Sequence, residues 1–234
     1  MSGPAASTRA EILERIGTAA ARGGRSGADV RVVAVSKTVE PARIAAAASA
    51  GWDAFGENRV QERAEKAAAL MDVRAAWHLV GPLQSNKARK AIELFDVIES
   101  VGSVELARRL DRIAAEQRPG RAMAVLLQVN VDDDPAKAGF DPALLDRELP
   151  SLLELPNLAL GGLMTVGRLV DGPEAARPTF AALRTLSERL RSHHPRLGPE
   201  LSMGMSEDYA VAVEEGATIV RIGRAIFGAR PHAG

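Results

Sequence analysis

Residues 30–41 read VRVVAVSKTVEP, an apolar run broken only by Arg31 that stops abruptly on Ser36, Lys37 and Thr38. A strand with one wet face alternates apolar and polar residues, so a run this continuous predicts a strand covered on both sides, as in a parallel α/β sheet. The residues just after the run separate the two common parallel architectures. An open, doubly wound sheet usually carries a glycine-rich turn after its first strand, and SKTVEP holds no glycine.

Working outward, similar runs recur at 53–56 (DAFG), 77–81 (WHLVG), 96–100 (DVIES), 122–130 (AMAVLLQVN), 158–165 (LALGGLMT), 200–204 (ELSMG) and 218–223 (TIVRIG). Stretches rich in Ala, Leu, Arg and Glu lie between them, and 103–116, 174–192 and 207–215 predict helices. Residues 7–22 predict a further helix before the first strand, ended by Gly23 and Gly24. Eight strand–helix units in 234 residues predict an α/β fold: one (β/α)8 TIM-type barrel with an extra N-terminal helix, spanning 1–234 as a single domain. The segments DDDP (132–135) and DGPEAARP (171–178) read as exposed loops, too short to divide the chain.

Composition removes several function classes. Acidic and basic residues number 30 each, so no global field draws the chain to nucleic acid or an anionic membrane. The absence of cysteine excludes disulfides, thiolate nucleophiles and thiolate metal sites. No apolar leader or long apolar span is present, which makes a cytoplasmic location the expectation. His193 and His194 are adjacent rather than three or four apart, and Asp132 to Asp134 read as a solvated loop, so no metal site is expected.

In a barrel, reactive groups sit where strands end, so polar residues directly after an apolar run carry the information. Lys37 is such a residue, in a chain with five lysines against twenty-five arginines. One reading is a side chain reaching from the rim to water. The other is an amine whose charged form burial disfavours; lowering a lysine to near neutrality takes roughly 4–5 kcal/mol, and only the neutral amine attacks an aldehyde.

Ser202, Gly204 and Ser206 form a small-residue turn ahead of the 207–215 helix, a place suited to an oxyanion or to an ordinary helix cap. Gly223, ending the eighth run, could offer its N–H to the same anion. Arg221 either pairs with a carboxylate such as Glu57 or Glu99 or contacts a ligand. Asn58 follows the second strand, and His78, inside the third, is either a hydrogen-bonded core residue or a pocket wall.

The segments VVAVSKT, FGENRVQE, WHLVGPLQSNK, LLQVN, GLMT and LSMGMSEDYAVAVEEGATIVRIGRAIFG, in that order from 32 to 228, resemble the pyridoxal phosphate homeostasis protein family. These are small relatives of the barrel half of bacterial alanine racemase. The resemblance implies an alanine racemase-like barrel with pyridoxal 5'-phosphate (PLP) as cofactor, held as a Schiff base on Lys37. It implies a phosphate site at Ser202, Met203, Gly204, Ser206 and Gly223, with Arg221 near the pyridine nitrogen; by their positions at the same mouth, Asn58 is a candidate contact of the ring oxygen and His78 a candidate pocket wall. A guanidinium keeps its proton, so it leaves that nitrogen unprotonated and weakens the ring as an electron sink. The implied role is vitamin B6 balance with no established reaction, PLP-dependent apoenzymes being the recipients. The chain departs from the family at DDDPAKAGF, where a serine-rich loop is usual, while Lys137 is kept.

Racemisation needs a base on each face of the cofactor, and in the racemases the second base is a tyrosine from a separate β-domain. The sole tyrosine here, Tyr209, falls in the 207–215 helix and is expected to pack there. The expectation is therefore a carrier or regulator and a monomer. A racemase or decarboxylase of low activity is the alternative, and a barrel lyase using Lys37 on a sugar aldehyde is another.

Overall fold

The computed structural model describes residues 4–168 and 170–228. Its strands are β1 (Arg31–Val35), β2 (Ala54–Glu57), β3 (Ala76–Leu79), β4 (Val97–Val101), β5 (Met123–Gln128), β6 (Leu158–Met164), β7 (Glu200–Ser202) and β8 (Ile219–Ile222). All pair in parallel in sequence order, and β8 closes on β1 with Val33 opposite Arg221, which completes a barrel. The helices are α1 (Pro4–Arg22), α2 (Pro41–Ser49), α3 (Val60–Lys66), α4 (Ala88–Leu94), α5 (Val104–Gln117), α6 (Pro142–Leu153), α7 (Arg177–His193), α8 (Tyr209–Glu214) and α9 (Arg224–Phe227).

The apolar runs became strands that are mostly buried on both faces: every residue of β2 and β8 is buried, while Arg31 of β1 and Ala159 of β6 are exposed. Val33, Ala54, Leu126, Met164 and Ile219 pack together as a layer inside the barrel. A larger cluster fills the space between the sheet and the helices, where each fully buried Leu, Ile or Phe contributes about 1.5–3 kcal/mol. Helix starts follow local chemistry. Ser103 accepts from Leu106 N to open α5, and Asp141 accepts from Leu144 N to open α6, with Pro142 at the first turn.

The helix before β1 buries Ile12, Ile16, Ala19 and Ala20 and packs on α8, where Arg15 lies over the Tyr209 ring at 5.1 Å. Two expected elements are shorter than their apolar patterns. The segment 174–192 splits into a 3-10 turn at Pro173–Ala176 followed by α7. The segment 207–215 becomes helical only at Tyr209, because Asp208 Oδ1 accepts from Met205 N at 2.6 Å and keeps the chain turning through 205–208. No helix among the described residues is long and apolar enough to cross a membrane.

Candidate functional site

At the end of β1, the sheet ladder continues one residue past the strand, with Ser36 N donating to Gly56 O at 2.8 Å. Alternation then puts Lys37, half-buried, on the same side as Val33 of the interior layer. Thr38 follows with φ of 62°, a left-handed backbone that costs a non-glycine residue roughly 1–2 kcal/mol. Its N–H donates to Glu62 Oε1, and its hydroxyl donates to Lys37 O at 2.6 Å.

Behind this turn, outside the barrel and under α3, lies a buried cluster. Lys66 Nζ donates to Ser36 O at 2.9 Å, Glu57 Oε1 at 2.9 Å and Glu62 Oε1 at 2.8 Å. Ser36 Oγ donates to the same Glu57 oxygen at 2.7 Å, while Glu57 Oε2 is buried without a partner among the described residues. Burial pushes the Glu57 carboxyl above its ordinary value, further than the Lys66 and Ser36 hydrogen bonds pull it down.

Inside the barrel runs a second polar system. His78 Nδ1 and Glu99 Oε1 are 2.6 Å apart, Ser202 Oγ donates to Glu99 Oε2 at 2.5 Å, and Arg221 Nη1 donates to Ser202 Oγ at 2.6 Å. Arg221 Nη2 donates to Thr165 O at 2.7 Å, and Nη1 lies 3.9 Å from Glu99. Burial alone would raise the Glu99 carboxyl, but the His78 hydrogen bond and charge, the Arg221 charge and the Ser202 hydroxyl together hold it below its ordinary value. Burial pulls the Arg221 guanidinium down, against the charges of Glu99 and Asp208. His78 Nε2 is buried with no partner among the described residues, so His78 is a hydrogen-bonded interior residue with one nitrogen unspent.

The turns after β7 and β8 meet. Gly223 N donates to Ser206 Oγ at 3.3 Å, and a Cβ on Gly223 would sit 3.3 Å from Val35 O, against the strand that carries Lys37. Gly204 has φ of 87°, and a Cβ there would meet the Ala212 Cβ at 2.5 Å. That glycine is demanded by the approach of α8. Met203 is buried in the core outside the sheet, and Ser202 is enclosed in the interior network rather than in the turn. Asn58 is half-buried after β2, where Gly81 packs so closely that a Cβ would lie 2.3 Å from Asn58 O.

Lys37, Asn58, Ser206 and Gly223 thus lie around the strand ends, with His78, Ser202 and Arg221 in the barrel interior. Arg221 approaches Glu99; Glu57 is taken by Lys66. Lys66, Glu62 and Thr165 were not singled out from the sequence, yet lysine scarcity marks Lys66 as well as Lys37, and Glu62 stands one helical turn before it. A cavity of about 310 Å³, lined by Arg9, Trp52, Asp53, Glu200 and Thr218, lies at the opposite end, where the strands begin. No group of three or more His, Cys, Asp or Glu among the described residues could hold a metal ion.

Comparison with known proteins gives the family and the fold. Residues 12–231 match the profile of the alanine racemase N-terminal domain. The pyridoxal phosphate homeostasis protein of Aquifex aeolicus is 40% identical over 221 residues, 94% of this chain and 96% of the relative. The chain belongs to the pyridoxal phosphate homeostasis protein family. Within that family, the structure of PipY from Synechococcus elongatus with PLP bound is 46% identical, with a TM-score of 0.81 over 93% of this chain and 100% of PipY. Alanine racemase of Clostridium difficile, at 18% identity and a TM-score of 0.68 over 88% of this chain and 56% of the racemase, shares the fold.

Proposed function

We propose that this chain binds pyridoxal 5'-phosphate at the strand-end mouth of its barrel and acts in vitamin B6 homeostasis as a carrier or regulator of the cofactor. The observation that carries the reading is that Gly223, whose N–H donates to Ser206 Oγ, packs against Val35 at the end of β1, two residues before Lys37. Family membership and the cofactor in PipY support it.

The residues present fit the group. The N–H of Gly223, now given to Ser206 Oγ, is the donor a phosphate would take, together with the Ser206 hydroxyl. Arg221 brings fixed protons toward a ring nitrogen, held in place by Ser202 and Thr165. Asn58 and His78, with an unspent Nε2, complete the polar wall, and Lys37 supplies the amine. When bound, the cofactor supplies an aldehyde carbon that condenses with a neutral amine. A second base for amino-acid chemistry is not provided by Tyr209, which is buried beneath Arg15 of α1.

The test is a visible spectrum of wild type beside Lys37→Ala after incubation with PLP, then borohydride reduction and peptide mass spectrometry. The reading expects a band and a trapped adduct in wild type and neither in the variant. An adduct that survives Lys37→Ala, or its absence from wild type, overturns it. Exchange of the Cα proton of added amino acids would favour a racemase instead. The same reading expects a cytoplasmic monomer that hands cofactor to PLP-dependent apoenzymes, checked by cell fractionation, light scattering and apoenzyme reactivation.

A further inference from the structure

We infer that Lys66, Glu57 and Glu62 form a clamp that positions Lys37 by gripping the peptide groups on either side of it; the inference rests on Lys37 being the cofactor amine. Lys66 Nζ donates to Ser36 O at 2.9 Å on one side, and Glu62 Oε1 accepts from Thr38 N on the other. Both grips join at one point, because Lys66 also donates to Glu62 Oε1 at 2.8 Å. Glu57 ties the assembly to β2 and takes the Ser36 hydroxyl at 2.7 Å.

The energetics argue against a simple staple between α3 and β2. Burying a lysine with a fully enclosed glutamate costs desolvation that the pair alone often fails to recover. A staple would need only Lys66 and Glu57. This cluster also takes a main-chain acceptor at residue 36 and a main-chain donor at residue 38, and it holds Thr38 left-handed at φ of 62°. With Ser36 N and both flanking peptides fixed, the direction in which the Lys37 side chain leaves the backbone is set from outside the barrel. Capture of an aldehyde exchanges its C=O double bond for a C=N double bond to the neutral amine, both amine protons leaving with the carbonyl oxygen as water, a step that depends on that approach direction. Lys66 and Glu62 act through the backbone of residues 36–38.

The test compares Lys66→Met, Glu62→Ala and Glu62→Gln with wild type in the full chain. Without cofactor, hydrogen exchange at the Thr38 amide is expected to quicken about tenfold in Lys66→Met and Glu62→Ala, and to stay near wild type in Glu62→Gln, whose amide oxygen still accepts. With added PLP, the rate of borohydride-trappable capture at Lys37 is expected to fall about tenfold in the first two and to recover in Glu62→Gln. A lowered melting temperature with unchanged Thr38 exchange and unchanged capture makes the cluster a staple and overturns the inference. If Lys66→Met does not fold, the Glu62 pair decides, since the Glu62 side chain is 20% exposed and at the cluster's edge. Wild type that captures no PLP refutes the cofactor reading by a result separate from the exchange data.

Discussion

Glu57 on β2 and Glu99 on β4 are both fully buried, each beside a cationic partner, yet their carboxyls move in opposite directions from the ordinary value. Glu99 spends both oxygens, one on His78 and one on Ser202, and has Arg221 nearby. Glu57 places Lys66 and Ser36 on a single oxygen, leaves the other without a partner among the described residues, and faces the like charge of Glu62. Both side chains are shut off from solvent, and the more deeply enclosed Glu99 is the one held low, so the number and sign of the partners decide which protonation state the fold favours. The interior carboxylate has partners on both oxygens; the exterior one has partners on a single oxygen among the described residues.

Glu99→Ala should break the comparison most severely. It leaves Arg221 and His78 buried without their anion, and about 3–5 kcal/mol of stability should be lost in urea denaturation. Ser202→Ala removes the hydroxyl between Glu99 and Arg221 and should cost about 1–3 kcal/mol by the same measurement.

Acidity sharpens the contrast. Glu99 is depressed, so its contribution is present above 4.5 and is lost as pH falls through the lower folded value. Glu57 is raised, so the folded chain holds its proton more tightly, and stability from this group falls as pH rises from 4.5 through the higher folded value. Each slope is at most about 1.4 kcal/mol per pH unit. Denaturation midpoints across this range should lose the first slope in Glu99→Gln and the second in Glu57→Gln; identical profiles in both would refute the assignment. Glu57→Gln keeps an oxygen that accepts from Ser36 and Lys66 and should cost under about 1 kcal/mol, the smallest effect of the series.

Much of the barrel was legible because its signal is local. Continuous apolar runs bounded by polar residues can be counted, and each of the eight overlaps one of β1 to β8, with β2, β3 and β4 each reaching one residue beyond its run. Helix ends were less legible: whether α8 starts at 207 or 209 depends on the Asp208 side chain finding Met205 N. At the candidate site, position after a strand marked Lys37, Asn58 and Gly223. It could not separate the inward-facing Glu99 from Glu57, which lies under α3, since both simply read as carboxylates near strand ends.

The order of residues alone therefore determined the strand–helix alternation, the absence of thiol chemistry and the presence of a lysine at the end of the first strand. Only the closed barrel decided that Ser206 meets Gly223, that Ser202 joins Glu99 to Arg221, and that Lys66 reaches the peptide before Lys37. The reason is distance along the chain. Periodicity acts between neighbours, whereas these bonds span 17 to 103 residues and exist only after β8 has paired with β1 and the helices have packed around the sheet.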